Sequence, residues 1–368
     1  MSIRLKIAFD ATFAVGNHRG MGKFTNIFLK KAAVKNDVVA LLPTGIKEKS
    51  KIATTEKFGF KFYPLWEQVS LPWYCRKKKI HYLVCPYNTA PVFFSKRTKL
   101  ILVVHDLIFL EHTINNNRES SYQKFGRYYR RLIVPAVIKK AYSIVTVSEF
   151  SKSTIQKRFN IPQEKIHVIS NTIDGGSFDT VADTYEREHY IFTVAGEALS
   201  KNLLNVIKAF ALFKSDNAGK KYSLKIAGVK STEHKYFYEF ANELKIKDFI
   251  MLLEYCTNEE IMSLYKKAKL FILGSMQEGF GIPLLEAFAV GTPVICSNTT
   301  SLPEIAGDAA LFFDPSRPAE MAEKMLLLVK NDDLWKTFQA KGFEQGKKYF
   351  PEKVEEKITD YWNTILKS

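Results

Sequence analysis

Cysteine is scarce in this 368-residue chain. It has four, Cys75, Cys85, Cys256 and Cys296, and no two stand in C-x-x-C spacing. A disulfide scaffold and a thiolate zinc site are therefore not expected, and a reducing cytoplasm suits the chain. Acidic residues are also short, with 38 Asp and Glu against 54 Lys and Arg and a net charge of +16. No Asp-x-Asp occurs anywhere. Long apolar runs are missing too. The run Leu100–Val104 is cut short by His105 and Asp106, and a membrane helix needs ~18 such residues. The stretch before Asp10 is too short for a secretory signal. There is no low-complexity segment and no short internal repeat.

What is present is the mix of a folded globular protein: 46% hydrophobic, 25% charged and 13% aromatic, with 28 Phe and 17 Tyr to fill cores. At about 150 residues per domain the length predicts two domains. Apolar runs on consecutive positions predict strands buried on both faces, as in parallel sheets. In the first half these are Leu5–Asp10, Val38–Leu42, His81–Cys85, Leu100–His105, Ile144–Ser148 and Ile166–Ser170. In the second half they are Tyr190–Ala195, Ser223–Ala227, Phe249–Leu253, Leu270–Leu273, Pro293–Cys296 and Ala310–Phe313. Helical patterns such as Asn205–Phe213, Glu259–Lys267 and Glu320–Val329 lie between them. The alternation predicts α/β architecture with two doubly wound parallel-sheet domains. Residues 174–188 are small, polar and non-periodic, which suits a linker. Two such domains would face a central cleft, with ligands outside the carboxyl ends of the strands.

The charge is unevenly spread. Residues 1–175 hold 30 Lys and Arg against 11 Asp and Glu, whereas residues 176–368 hold 24 against 27. The basic runs Arg76–Lys79, Lys96–Lys99 and Arg127–Arg131, with Lys139 and Lys140, stand near Trp73, Tyr74, Phe93, Phe94, Phe125 and Tyr128. Cations beside aromatic rings suit an anionic membrane surface. The same mix suits single-stranded nucleic acid or a solvated surface over an aromatic core. No nucleic-acid-binding module is visible, and this favours the membrane over nucleic acid as partner.

The most specific motif is Glu278-Gly279-Phe280-Gly281-Ile282-Pro283-Leu284-Leu285-Glu286-Ala287. It follows an expected strand. Gly279 and Gly281 permit close backbone approach, Pro283 suits a first helical turn, and Gly291 ends a helix. A short helix over about residues 282–290 would point its N-terminus, an anion site, at a diphosphate. Glu278 and Glu286 would then accept sugar hydroxyls.

This block, with GTPVICSNTTSLPEIAGDAALFFDP after it, resembles retaining glycosyltransferase family 4. FDAT at Phe9–Thr12, RGMGKF at Arg19–Phe24, CPYN at Cys85–Asn88, VVHDL at Val103–Leu107, VSEFS at Val147–Ser151 and ISNTID at Ile169–Asp174 extend the resemblance, in order, over nearly the whole chain. It is nearest to bacterial mannosyltransferase-like enzymes of surface polysaccharide. The resemblance implies the GT-B fold, with an acceptor-side domain over residues 1–175, a nucleotide-sugar-binding domain over 185–345, and residues 346–368 packing back on the first domain. It implies transfer of a hexose, a mannose-type sugar leading, from a nucleotide diphosphate sugar to a glycan or lipid-linked acceptor. No metal and no resident cofactor are implied, in keeping with the missing Asp-x-Asp. The enzyme would be cytoplasmic, peripheral on the inner face of the membrane. A nucleotide-sugar epimerase of the same fold is the alternative.

By this resemblance Glu286 holds the ribose and Glu278 the donor-sugar hydroxyls, with the backbone of Gly279, Phe280 and Gly281 and with Leu285 beside them. Lys201 and Asn202 hold the diphosphate. Lys201 would stabilise the leaving charge, although Ser200 stands where the family has arginine. His105 lies near the reacting centre. Gly20 and Gly22 reach the diphosphate, helped by Lys23, and Asp106 and Glu149 lie on the acceptor side. His105, Glu278 and Lys201 form the expected catalytic set.

Overall fold

The computed structural model describes residues 4–16, 20–111, 121–173, 186–196 and 198–367. Residues 174–185 of the expected linker at 174–188 lie outside them, as do Arg19 and Glu197. The chain forms two compact units.

The first unit is built from Met1–His112, Ser120–Asn171 and Glu352–Ser368. Its strands are β1 (Lys6–Asp10), β2 (Asp37–Pro43), β3 (Thr54–Phe58), β4 (Tyr82–Cys85), β5 (Lys99–Val104), β6 (Ser143–Thr146) and β7 (Ile166–Val168). They form one sheet in the order β3-β2-β1-β4-β5-β6-β7. Every pairing is parallel, with Ile7 opposite Val38 on one side and Tyr82 on the other. Both faces are covered. Ile7, Phe9, Val84 and Val103 enter one core, while Ala8, Leu83, Leu102 and Val104 enter the other.

Strand β3 corrects the expected six-strand set. Its sequence TTEKF carries Glu56 and Lys57 and is only partly buried. An edge strand needs one paired side and little apolar cover, so its sequence lacks the continuous apolar run of the central strands.

The second unit contains Thr172–Pro351. Its strands are β8 (Tyr190–Val194), β9 (Ser223–Ala227), β10 (Ile250–Leu253), β11 (Leu270–Leu273), β12 (Val294–Ser297) and β13 (Ala310–Phe313). They run in the order β10-β9-β8-β11-β12-β13, again all parallel. In each sheet the direction of winding reverses beside the first strand, between β1 and β4 and between β8 and β11. Strand ends at such a reversal are where ligands of this architecture bind.

The C-terminal stretch divides. Helix Asp332–Lys347 belongs to the second unit, and helix Pro351–Ile365 joins the core of the first. Val354, Ile358, Tyr361, Trp362 and Ile365 repeat at helical spacing on its buried face. Trp362 lies 4.9 Å from the Phe28 ring and 6.1 Å from Phe9, and its indole N–H donates to the Phe28 carbonyl at 3.2 Å. Trp362→Ala should destabilise the protein by about 3–5 kcal/mol, the range for a large aromatic removed from a packed core. Chemical denaturation of both proteins measures this, and an unchanged midpoint would show that the helix is dispensable.

Candidate functional site

In the second unit the groups of interest lie after β8, β11 and β12. After β8 comes the short 3-10 turn Leu199–Lys201, and then Asn202 in the left-handed region at φ 58°. Asn202 caps nothing with its side chain. Its amide instead donates to the carbonyls of Gly274 at 2.9 Å and Pro315 at 2.7 Å. It accepts from the Asn205 amide at 2.9 Å. These bonds pin the β8 loop to those that follow β11 and β13. Asn202 thus holds its neighbour Lys201 in place, with its own side chain committed to protein.

The pin brings Lys201 to Glu278. The ammonium stands 2.7 Å from Glu278 Oε1, and the hydroxyl of Ser275 donates to the same oxygen at 2.7 Å. The Glu278 side chain is only 13% exposed. Its second oxygen has no partner among the described residues. One oxygen is therefore fixed by a cation and a hydroxyl, and the other remains able to accept from a ligand. Two residues 77 apart in sequence thus form one half-buried ion pair.

The turn that carries Glu278 is braced by the loop after β12. The Glu278 amide donates to Thr300 Oγ1 at 3.1 Å, and the Ser301 hydroxyl lies 3.0 Å from both the Glu278 and Phe280 carbonyls. Gly281 sits at φ 108° as the residue before helix Ile282–Ala289. A Cβ there would lie 2.8 Å from the Leu302 side chain, so both conformation and space require glycine. Pro283 occupies the first turn, where its missing N–H costs nothing. The Leu284 amide donates back to the Gly281 carbonyl at 3.0 Å, and the positive dipole end of this helix follows Glu278 by four residues in the chain.

Glu286 lies on the same helix, partly exposed, and the Tyr265 hydroxyl donates to its Oε2 at 3.0 Å. Tyr265 is wholly buried between Phe192 and Phe271. Burial, and then the nearby Glu286 charge, hold its phenol well above the usual range, so it stays a donor. Phe280 and Leu285 are placed differently from the acidic pair. Phe280 is buried against Tyr349, with ring centroids 5.7 Å apart, and Leu285 is fully enclosed. Their side chains serve the core, and only their backbones remain for a ligand.

In the first unit Gly20 opens helix Gly20–Ala32, and Gly22 is buried in its first turn, with Lys23 next and partly exposed. His105 follows β5. Its amide donates to Asn88 Oδ1 at 2.7 Å, its Nε2 lies 3.0 Å from the Pro86 carbonyl, and its ring meets Phe24 edge-on at 5.5 Å. The carbonyl partner fixes Nε2 as the protonated nitrogen and leaves Nδ1 as an acceptor. Burial pulls the imidazole down to about 4, against the opposing bond to Pro86. His105 is therefore neutral under ordinary conditions. Asp106 accepts the Ile108 amide at 3.0 Å, just before the short turn Ile108–Leu110. Glu149 is exposed at the first position of helix Glu149–Phe159, whose N-cap is Ser148.

The structure thus joins Lys201, Asn202, Glu278 and Glu286 with Gly279–Gly281 in one unit. It keeps His105, Gly20, Gly22, Asp106 and Glu149 in the other. Ser275, Thr300, Ser301 and Tyr265 were not singled out from sequence. Ser275, three residues before Glu278, carried the only signal, a hydroxyl just past a strand end. Among the described residues no three His, Cys, Asp or Glu side chains group as a metal site, and no helix is long and apolar enough to cross a membrane.

Both parts of the chain match known families. Residues 179–345 match the family described as glycosyl transferases group 1, and residues 50–175 match glycosyltransferase family 4. The O-antigen chain mannosyltransferase B of Escherichia coli is 30% identical over 221 residues, which is 58% of this chain and 58% of that protein. The O-antigen chain mannosyltransferase RfbU of Salmonella typhimurium is 28% identical over 278 residues, 75% of this chain and 72% of that one. The chain thus spans less than two thirds of the first of these relatives. Among solved structures, WaaG, a glycosyltransferase of lipopolysaccharide biosynthesis, has a TM-score of 0.72 at 15% identity over 96% of this chain and 99% of its own. Anabaena HepE in complex with UDP has a TM-score of 0.71 at 13% identity over 98% and 100%.

The state of His105 can be measured. In the unfolded chain its imidazole titrates near the ordinary 6.5 and in the folded chain near 4. The unfolded state therefore takes up a proton first, and the stabilisation from this group fades as pH falls through that window. NMR titration of the His105 ring should give a value near 4, whereas a value near 6.5 would contradict its burial as a neutral acceptor.

Proposed function

The chain belongs to the glycosyltransferases whose halves are described as family 4 and group 1, and on that premise we propose that it transfers a hexose from a nucleotide diphosphate sugar to a lipid-linked glycan in surface-polysaccharide synthesis. The observation that carries this reading is the ion pair of Lys201 with Glu278 beside the N-terminus of helix Ile282–Ala289. Cleaving the bond between sugar and diphosphate leaves negative charge on the phosphate. Lys201 and the positive end of the helix dipole supply positive charge in a fixed place, which is where electrostatic stabilisation of a transition state comes from.

The free oxygen of Glu278 accepts from hydroxyls of the donor sugar. Glu286, held by Tyr265, accepts from the ribose of the nucleotide. Asn202 keeps Lys201 aimed, and neutral His105 offers Nδ1 as an acceptor at the sugar without adding charge. Gly20 and Gly22 bring free backbone N–H groups toward the diphosphate. With the diphosphate charge met by Lys201 and a helix N-terminus, no metal is required. The reaction retains anomeric configuration, the leaving phosphate taking the acceptor proton on the same face. A mannose-type donor with GDP as its nucleotide is the leading choice, supported by the relatives named as O-antigen mannosyltransferases.

The first unit offers a surface for the membrane that carries such an acceptor. Leu65, Val69 and Trp73 recur every four residues along the helical run Tyr63–Lys78, and all are exposed. Phe125, Tyr128 and Leu132, three and four residues apart, are likewise exposed on helix Ser121–Ile138. The Phe62 and Phe125 rings lie 6.0 Å apart, so the two rows are neighbours. Lys77 stands over the exposed Trp73 ring at 4.6 Å and Lys140 over Phe93 at 5.0 Å. Tyr74 and Phe94, expected in this group, pack into the core instead, because they fall on the inward side of their segments. We propose that this face lies on an anionic bilayer, with the rings in the headgroup layer and the cations on lipid phosphate.

Kinetics separates the two glutamates. Glu286→Ala should weaken nucleotide binding roughly ten- to a hundredfold, read by thermal shift with GDP, UDP and dTDP, while Glu278→Ala should lower turnover by a similar factor. Wild-type turnover should persist in chelator, and NMR of the product should show a retained linkage. Near-wild-type behaviour of both variants would sink the donor site, and a loss in chelator restored by magnesium would sink metal independence.

Cosedimentation tests the membrane face. Wild type should bind anionic vesicles, release as salt shortens the screening length toward ~3 Å at 1 M, and ignore neutral ones. A Trp73→Ser, Phe125→Ser double variant and an Arg76, Lys77, Lys78, Lys79→Ser variant should each lose most of that binding. Equal binding to neutral and anionic vesicles, or none to either, would remove the membrane surface from the reading.

A further inference from the structure

The core of the first unit contains a polar cluster that the donor reading does not use. Asp10, the last residue of β1, is 1% exposed, and Glu67 is wholly buried. Among the described residues neither has a cationic partner. The Tyr63 hydroxyl stands between them, 3.3 Å from Asp10 Oδ2 and 3.1 Å from Glu67 Oε1.

The remaining donors can be counted. Asp10 Oδ1 receives the Thr12 amide at 3.1 Å, the Thr12 hydroxyl at 2.5 Å and the Trp66 indole N–H at 3.2 Å. Glu67 Oε1 receives the Thr89 hydroxyl at 2.5 Å, and Oε2 receives the Tyr129 hydroxyl at 2.5 Å and the Gln68 amide at 2.8 Å. Tyr63 has one hydroxyl hydrogen for its two carboxylate contacts. If both acids are ionised, one of those oxygen–oxygen contacts contains no hydrogen and two anions lie buried together. One added proton fills both Tyr63 contacts: Glu67 donates to Tyr63, and Tyr63 donates to Asp10.

The backbone supports a specialised site. Trp66–Ser70 is a π-helical turn within the run Tyr63–Lys78, and it places consecutive Trp66 and Glu67 both inward. Such turns are rare and occur often at functional positions. The cluster also ties four elements together. Asp10 and Thr12 come from β1 and its loop, and Tyr63, Trp66, Glu67 and Gln68 from the helical run. Cys85, Tyr87 and Thr89 come from β4 and its loop, and Tyr129 from helix Ser121–Ile138. The loop after β1 is fixed twice, by Thr12 on Asp10 and by the Phe13 amide on the Tyr87 hydroxyl at 3.2 Å.

We propose that Asp10 and Glu67 share one proton through the Tyr63 hydroxyl, and that this proton fixes the loop after β1 to the helical run behind it. The device is a proton-dependent positioning element. It does not depend on the donor reading.

The electrostatics agree. Burial lifts the Glu67 carboxyl from 4.5 to about 7, the Asp10 charge adds to the rise, and the bonds from Thr89, Tyr129 and Gln68 oppose it. Burial likewise lifts Asp10. Because the folded value is raised, the folded chain keeps a proton that the unfolded chain releases. The stabilisation is complete below 4.5 and is lost as pH rises to about 7. His105 works in the opposite sense over part of this window, so the cluster is read as a difference between wild type and variant.

Glu67→Gln supplies a permanent donor in place of the titrating one. Amide hydrogen exchange at Thr12 and Phe13 in the full-length protein, corrected for intrinsic base catalysis, measures how firmly the loop is held. Protection in wild type should fall about tenfold between about pH 6 and about pH 8, a tenfold change being one pKa unit. In Glu67→Gln it should not change with pH. Carboxyl NMR of Glu67 in the wild type, which needs no variant to fold, should show titration near 7. The same pH dependence in both proteins, or a Glu67 carboxyl that titrates near 4.5, overturns the proposal.

Discussion

Both sheets are parallel and buried on both faces, and this one constraint places nearly everything else. A strand covered above and below has no room for an unpaired polar side chain along its length. Polar and charged groups are therefore pushed to strand ends. Asp10 closes β1, His105 follows β5, Ser148 follows β6, Lys201 and Asn202 follow β8, and Ser275 and Glu278 follow β11. Each sheet reverses its winding beside its first strand, which leaves space at those ends. The chemistry gathers at the carboxyl edge because the interior excludes it.

The two units treat buried charge differently. In the second, Glu278 is balanced by Lys201 at 2.7 Å, and Asn202, Thr300 and Ser301 hold the backbone that carries the pair. A half-buried carboxylate with a cation on one oxygen leaves the other oxygen for a ligand. In the first, Asp10 and Glu67 have hydroxyls, amides and an indole as partners and, among the described residues, no cation. Neutral donors compensate a buried charge only in part, and so the carboxyls rise while His105 falls. None of the described Lys and Arg residues between 1 and 175 is buried.

That surface joins chemistry to location. Leu65, Val69 and Trp73 on one helical run and Phe125, Tyr128 and Leu132 on another stay exposed although the same helices bury Trp66, Leu71 and Val134. Amphipathic helices normally turn a charged face to water, and an apolar row on the outer face is stable where a second apolar medium meets it. The bilayer that would carry the proposed lipid-linked acceptor would supply that medium, so the two proposals are consistent with each other.

Consecutive apolar runs made twelve strands and the doubly wound class legible in the sequence, because burial on both faces demands those residues. The glycine and proline positions from Gly279 to Pro283 made the helix N-terminus legible, because left-handed backbone and a missing N–H leave few alternatives. Strand β3 escaped because an edge strand needs no apolar run. The buried roles of Phe280 and Leu285 escaped because a ligand site and a core wall use the same residue types. Lys201 with Glu278, Tyr265 with Glu286, and Asp10 with Glu67 across Tyr63 were decided only by the tertiary structure. Each pair joins residues that are remote in the chain, and local sequence sets the backbone at each position without setting which distant side chain the fold brings within hydrogen-bond reach.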